Sequence, residues 1–119
     1  MNLKKYKFVN VDVLIGKDTV VKGGLTSRSA VKIDGEVNGD ITTDQEVILT
    51  ETATVKGNID AKCLIVSGHI TGNVQIAEQL VIKDKGLLEG DVEAGSLVIE
   101  EGGVFHGMNR GRKEPAVSE

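Results

Sequence analysis

The side chains best suited to nucleophilic, acid–base or metal chemistry are His69, His106 and Cys63, and their spacing supplies none of it. His69 precedes an apolar residue and His106 follows one, so they sit in different phases of the chain's pattern and share no ligand face. Each reads as an exposed residue. Cys63, beside Leu64-Ile65-Val66, reads as a small half-buried side chain rather than a nucleophile or ligand. Nucleotide loops fail on inspection. Gly16-Lys17 is followed by Asp18 where Ser or Thr is required, and Val11 stands where the leading glycine belongs. Gly23-Gly24 and Gly102-Gly103 do not continue into a calcium-binding nonapeptide. Asp40, Asp91, Glu100 and Glu101 read as a solvated negative surface that discourages sideways aggregation. The expectation is no catalytic, cofactor-binding or metal-binding residue, no cofactor, and no enzyme.

Composition narrows the class further. The 119 residues suit one domain, and 39% apolar with 27% charged content is that of a folded soluble chain. No stretch approaches the roughly 18 apolar residues of a membrane-spanning helix, and the first 15 residues lack the apolar centre and cleavage site of a secretory signal. The lone cysteine allows no intramolecular disulfide, and there is no Asn-x-Ser/Thr acceptor. The expectation is a chain that starts at Met1 and stays in the cytoplasm. The net charge of −4 divides unevenly: three lysines crowd residues 1–7, while residues 8–108 are acidic. With Tyr6, Phe8 and Phe105 as the only aromatics, there is neither the basic patch nor the stacking platform of a nucleic-acid binder.

What remains is a repeat. An apolar residue, any residue, glycine, any residue and usually a second apolar residue recur as Val21-Lys22-Gly23-Gly24-Leu25, Val37-Asn38-Gly39-Asp40-Ile41, Val55-Lys56-Gly57-Asn58-Ile59, Ile70-Thr71-Gly72-Asn73-Val74 and Leu88-Glu89-Gly90-Asp91-Val92. A decayed copy, Phe105-His106-Gly107-Met108-Asn109, closes the series. Between them lie short β-rich segments: Val31-Lys32-Ile33, Val47-Ile48-Leu49, Leu64-Ile65-Val66, Leu80-Val81-Ile82 and Leu97-Val98-Ile99. No window carries a helical period. The chain reads as all-β, and a period of about 17 residues suits one coil of a parallel β-helix with three short faces. Alternation turns Val37 and Ile41, or Val55 and Ile59, inward and Asn38, Asp40, Lys56 and Asn58 outward. The glycine between them either shares the inward parity or marks a bend. Successive glycines are 16, 18, 15, 18 and 17 residues apart, yet glycines two copies apart are 34, 33, 33 and 35 apart. The irregularity is therefore an alternation of long and short corners, which Ile99 to Phe105 breaks by being long where a short corner is due.

A coil cannot bury its apolar side chains alone, so the terminal coils are the exposed ones. Each offers an unpaired strand edge and an open apolar cross-section. A rod with two such ends makes a filament. The candidate polymerisation surface is Val98, Ile99, Val104 and Phe105 at one end and Ile15, Val21 and Leu25 at the other. Phe105 stands where earlier copies hold Val, Ile or Leu, and two readings apply to it: a contact prepared for another molecule, or a plug over its own last coil.

These residues resemble the bactofilins, bacterial polymer-forming cytoskeletal proteins. The likeness covers about residues 11–107 and rests on Val31-Lys32-Ile33-Asp34-Gly35-Glu36-Val37-Asn38-Gly39-Asp40-Ile41, on the Gly-Asn copies at 57 and 72, and on Leu97-Val98-Ile99-Glu100-Glu101-Gly102-Gly103-Val104-Phe105-His106-Gly107. It implies a right-handed single-domain β-solenoid of about six windings with a triangular cross-section and short disordered tails. It also implies end-to-end assembly into nonpolar filaments without nucleotide, and attachment to the inner face of the cell membrane. The division expected is a basic, aromatic tail at 1–10, a β-helical domain at 11–108 and a polar tail at 109–119. Leu3, Lys4, Lys5, Tyr6, Lys7 and Phe8 form the candidate membrane contact, each lysine contributing about 1 kcal/mol near anionic lipid; the alternative is a merely solvated tail. The partners expected are the chain itself, an anionic membrane surface, and other bactofilins or cell-envelope proteins. Two competing readings are a left-handed β-helix acyltransferase or hydratase using His69 or His106, and a β-helical scaffold that binds one protein without polymerising. The spacing of the glycines does not keep the six-residue phase of the first.

Overall fold

The computed structural model describes residues 11–111, which form fourteen strands and no helix. The first coil is β1 (Val11–Ile15), β2 (Val20–Lys22) and β3 (Leu25–Ser27), and the second is β4 (Ala30–Ile33), β5 (Glu36–Asn38) and β6 (Ile41–Thr43). The third begins with β7 (Glu46–Leu49) and β8 (Thr54–Lys56) and closes within β9 (Ile59–Val66), which bends past Ala61 to open the fourth. β10 (His69–Thr71) and β11 (Val74–Ile82) complete the fourth and start the fifth in the same way. β12 (Leu87–Glu89), β13 (Val92–Ile99) and β14 (Val104–His106) finish the stack.

All pairings are parallel and join each coil to the next. Face one runs β1-β4-β7 and on through the second halves of β9, β11 and β13; face two is the six-stranded sheet β2-β5-β8-β10-β12-β14; face three is β3, β6 and the first halves of the long strands. The alternation seen in the sequence thus becomes a stacked register. Val21, Val37, Val55, Ile70, Leu88 and Phe105 lie one above another, as do Ile15, Ile33, Leu49, Val66, Ile82 and Ile99. The interior of the stack is apolar, and the four middle members of each of these two columns are fully buried. Thr43, the buried polar exception among the described residues, donates its hydroxyl to the Ser29 carbonyl at 2.8 Å and accepts from the Gln45 N–H at 3.1 Å.

The alternating corners have a simple cause. The long ones close as hydrogen-bonded turns, Thr19 N–H to Gly16 O, Ala53 N–H to Thr50 O and Gly86 N–H to Lys83 O, while the short ones are Asp34-Gly35 and Ser67-Gly68. A Cβ on Gly68 would overlap the carbonyl oxygens of Ala53 and Thr50, so the short corner sits tightly against the long corner of the coil below. The last corner, closed by Gly103 N–H to Glu100 O, is long, as the broken alternation requires.

The glycine of the repeat marks the bend between faces two and three. Asn109, expected to begin the C-terminal tail, bridges Val92, and the Arg110 N–H donates to the Val92 carbonyl at 2.7 Å. The sixth coil therefore extends through Arg110, past the boundary expected at 108, because the backbone of Val92 still has hydrogen bonds to satisfy there.

Candidate polymerisation interface

The two ends are built by the same columns that fill the core, stopped one coil short of a neighbour. At the C-terminal end the columns finish in Leu97, Ile99 and Phe105. Ile99 is 44% exposed, although its column partner Ile82 is fully buried. Val98 and Val104 are exposed beside it, and so is Met108, which the sequence reading left out. Phe105 is half-buried and packs onto the core over Leu88. At the other end Val21 and Leu25 are half-buried against the core, whereas Ile15 is only 6% exposed and offers little surface. The large apolar groups that this coil does present to solvent are Leu14 and Val20, also not singled out from the sequence. Backbone edges complete both surfaces: β1 and β2 at one end, β14 and the second half of β13 at the other, have a strand on one side only among the described residues.

A ladder of side chains runs along the edge where faces two and three meet. The residue after each repeat glycine accepts a hydrogen bond from the backbone of the coil above: Asp40 Oδ1 from Asn58 N–H at 2.9 Å, Asn58 Oδ1 from Asn73 N–H at 3.0 Å, Asn73 Oδ1 from Asp91 N–H at 2.9 Å, and Asp91 Oδ1 from Met108 N–H at 3.2 Å. The ladder has no rung at either terminus. Gly24 has no side chain to start it, and Met108 replaces the Asp or Asn that would extend it. The Arg110 guanidinium donates to Asp91 Oδ2 at 2.9 Å, and this bond, with the Met108 N–H, holds the Asp91 carboxyl below its usual range.

The candidate chemical groups lie apart. His69 and His106 are exposed on face two, two coils distant and in different columns, since His69 aligns with Leu87 and His106 with Glu89. Cys63 is half-buried on the outer side of face one with Sγ 3.8 Å from Glu78 Oε1; burial raises its thiol pKa, which leaves less of the reactive thiolate. Among the described residues no cluster of three His, Cys, Asp or Glu side chains is placed to hold a metal, and no helix is long and apolar enough to cross a membrane. The candidate membrane contact, Leu3 to Phe8, lies outside the described residues.

A family model described as "Bactofilin: Polymer-forming cytoskeletal" matches residues 13–110. No curated protein and no solved structure matches the chain.

Proposed function

The chain belongs to the bactofilin family of polymer-forming cytoskeletal proteins, and we propose that it assembles end to end, through its first and sixth coils, into nucleotide-independent filaments that act as a scaffold for cell shape, motility or protein localisation. The observation that carries this reading is the open apolar cross-section at the C-terminal end, where Ile99 and Phe105 interrupt columns that are fully buried one coil below. Stacking a second copy there removes those side chains from water and gives the free strand edges a partner. The broken ladder supports a nonpolar filament, in which like ends meet. A copy added head to tail would bring the Gly24 N–H over Met108, whose thioether is a weak acceptor. Negative-stain microscopy of the purified chain in buffer without nucleotide tests the proposal: long thin filaments are expected, and monodisperse small oligomers would overturn it.

Attachment to the cytoplasmic face of the membrane is the finer part of this reading. Three lysines with Tyr6 and Phe8 in the first eight residues support it, because many weakly binding copies on one filament hold jointly. Deleting residues 2–8 is expected to abolish cosedimentation with anionic vesicles and to leave filaments intact. Equal cosedimentation of the two proteins would remove the membrane from the proposal.

A further inference from the structure

The outward side chains of the three faces differ in kind. Face two shows the column Lys22, Asn38, Lys56, Thr71, Glu89 and His106, and face three shows Thr26, Thr42, Asp60, Gln75 and Glu93. Both are polar. The corresponding column on face one is Leu14, Lys32, Ile48, Ile65, Val81 and Val98. Strands favour β-branched residues, yet the strands of the other two faces form with polar groups in the same role, so propensity alone does not call for this stripe. Leu14 is 62% and Val98 40% exposed, and the three residues between Lys32 and Val98 are half-buried. Beside Ile48 and Ile65 an open depression of about 660 Å³ lies above the recessed Ser67 corner, between the protruding long corners that carry Glu51 and Lys83. The charge expected to keep the outer faces apart sideways is thus missing from the stretch Ile48, Ile65 and Val81, with Glu46 standing in the column beside it.

We infer that this stripe is a lateral contact between two copies of the chain, joining filaments side by side; the inference rests on end-to-end assembly. Three observations favour a second copy as the occupant. The stripe, interrupted by Lys32, reaches both ends of the stack in Leu14 and Val98, so a joint that sets face one on face one continues it along the filament. Its rim carries both signs, in the exposed pairs Lys85 with Glu51 at 3.8 Å and Lys83 with Glu100 at 3.7 Å. A two-fold pairing can set each sign against its opposite, whereas an anionic lipid surface would meet the carboxylates. The size also fits. Six strands at about 4.8 Å spacing and a width of about 10 Å give roughly 500 Å² over two partners, below the ~1,200 Å² of a stable pair. Isolated molecules stay unpaired sideways, and aligned filaments pair through many copies at once.

Comparing low-speed pelleting, which collects bundles, with high-speed pelleting, which collects single filaments, tests this on the full chain, with microscopy alongside. Ile65→Lys is expected to lower the low-speed fraction by about tenfold or more while high-speed pelleting persists, and Thr42→Lys on face three is expected to change neither. Should Ile65→Lys fail to fold, Val81→Thr keeps the branched shape and is expected to raise the protein concentration at which bundles appear. Bundles of unchanged width in the variant, or single filaments alone in the parent protein, overturn the inference. Loss of vesicle binding with bundles intact overturns it as well and hands the stripe to a membrane. A parent protein without filaments of any kind overturns end stacking, and the lateral contact with it.

Discussion

Phe105→Arg is expected to replace filaments with discrete species of two chains whose strand content is unchanged. The fold should survive because Phe105 is half-buried on the last coil, over Leu88, and among the described residues no strand pairs on the far side of β14. An arginine there lays its methylenes on the same apolar surface and turns the guanidinium to solvent. Stacking a second copy on that surface would bury the charge without a partner, at a cost of several kcal/mol. In a nonpolar filament the first coils still meet, so growth stops at pairs. Sedimentation equilibrium reads the outcome directly: pairs agree with like-to-like joints, single chains would indicate head-to-tail joints, and filaments of unchanged length would exclude Phe105 from the contact.

The equivalent substitution at the other end is less informative, and the reason shows where sequence reading stops. Ile15 belongs to a terminal coil and has the inward parity of Ile33 and Leu49, so alternation marks it as an end residue; yet it is almost fully buried, and its outward neighbour Leu14 is the exposed one. Parity states which way a side chain points, not how well it is covered. The same blindness hid the stripe on face one. In Val47-Ile48-Leu49 or Leu64-Ile65-Val66 the outward residue is as apolar as its neighbours, so a run of three carries no alternation to detect. The ladder from Asp40 to Asp91 was invisible for another reason. Each of its bonds spans 15 to 18 residues and exists only once the coil register is set. By contrast the repeat glycines, the long and short corners and the inward columns could be read from one dimension, because each is imposed by close contact with the coil directly below.

That contact makes the second large effect predictable. Gly72→Ala is expected to destabilise the chain by about 4 kcal/mol or more, among the largest costs of a single substitution, whereas Gly24→Ala should cost less than about 1 kcal/mol. A Cβ on Gly72 would overlap the carbonyl oxygen of Gly57, and its φ of 151° is one that residues with side chains rarely adopt. Neither atom belongs to a flexible side chain, so relief requires lifting the fourth coil off the third at that bend. The lift stretches the Gly57 N–H to Thr71 O bond and the rung from Asn58 to Asn73, and it levers the fully buried Ile70 and the adjacent Val74 out of register. Gly24 sits in the terminal coil itself, where the nearest atom to an added Cβ is the Asp40 carbonyl oxygen at 3.4 Å, an ordinary contact. Assembly would mask part of either loss, because stacking stabilises the folded chain by mass action. Both substitutions are therefore best measured by denaturant midpoint in the Phe105→Arg background. Equal midpoints for the two would show that the glycine column is a matter of composition and not of coil-on-coil contact.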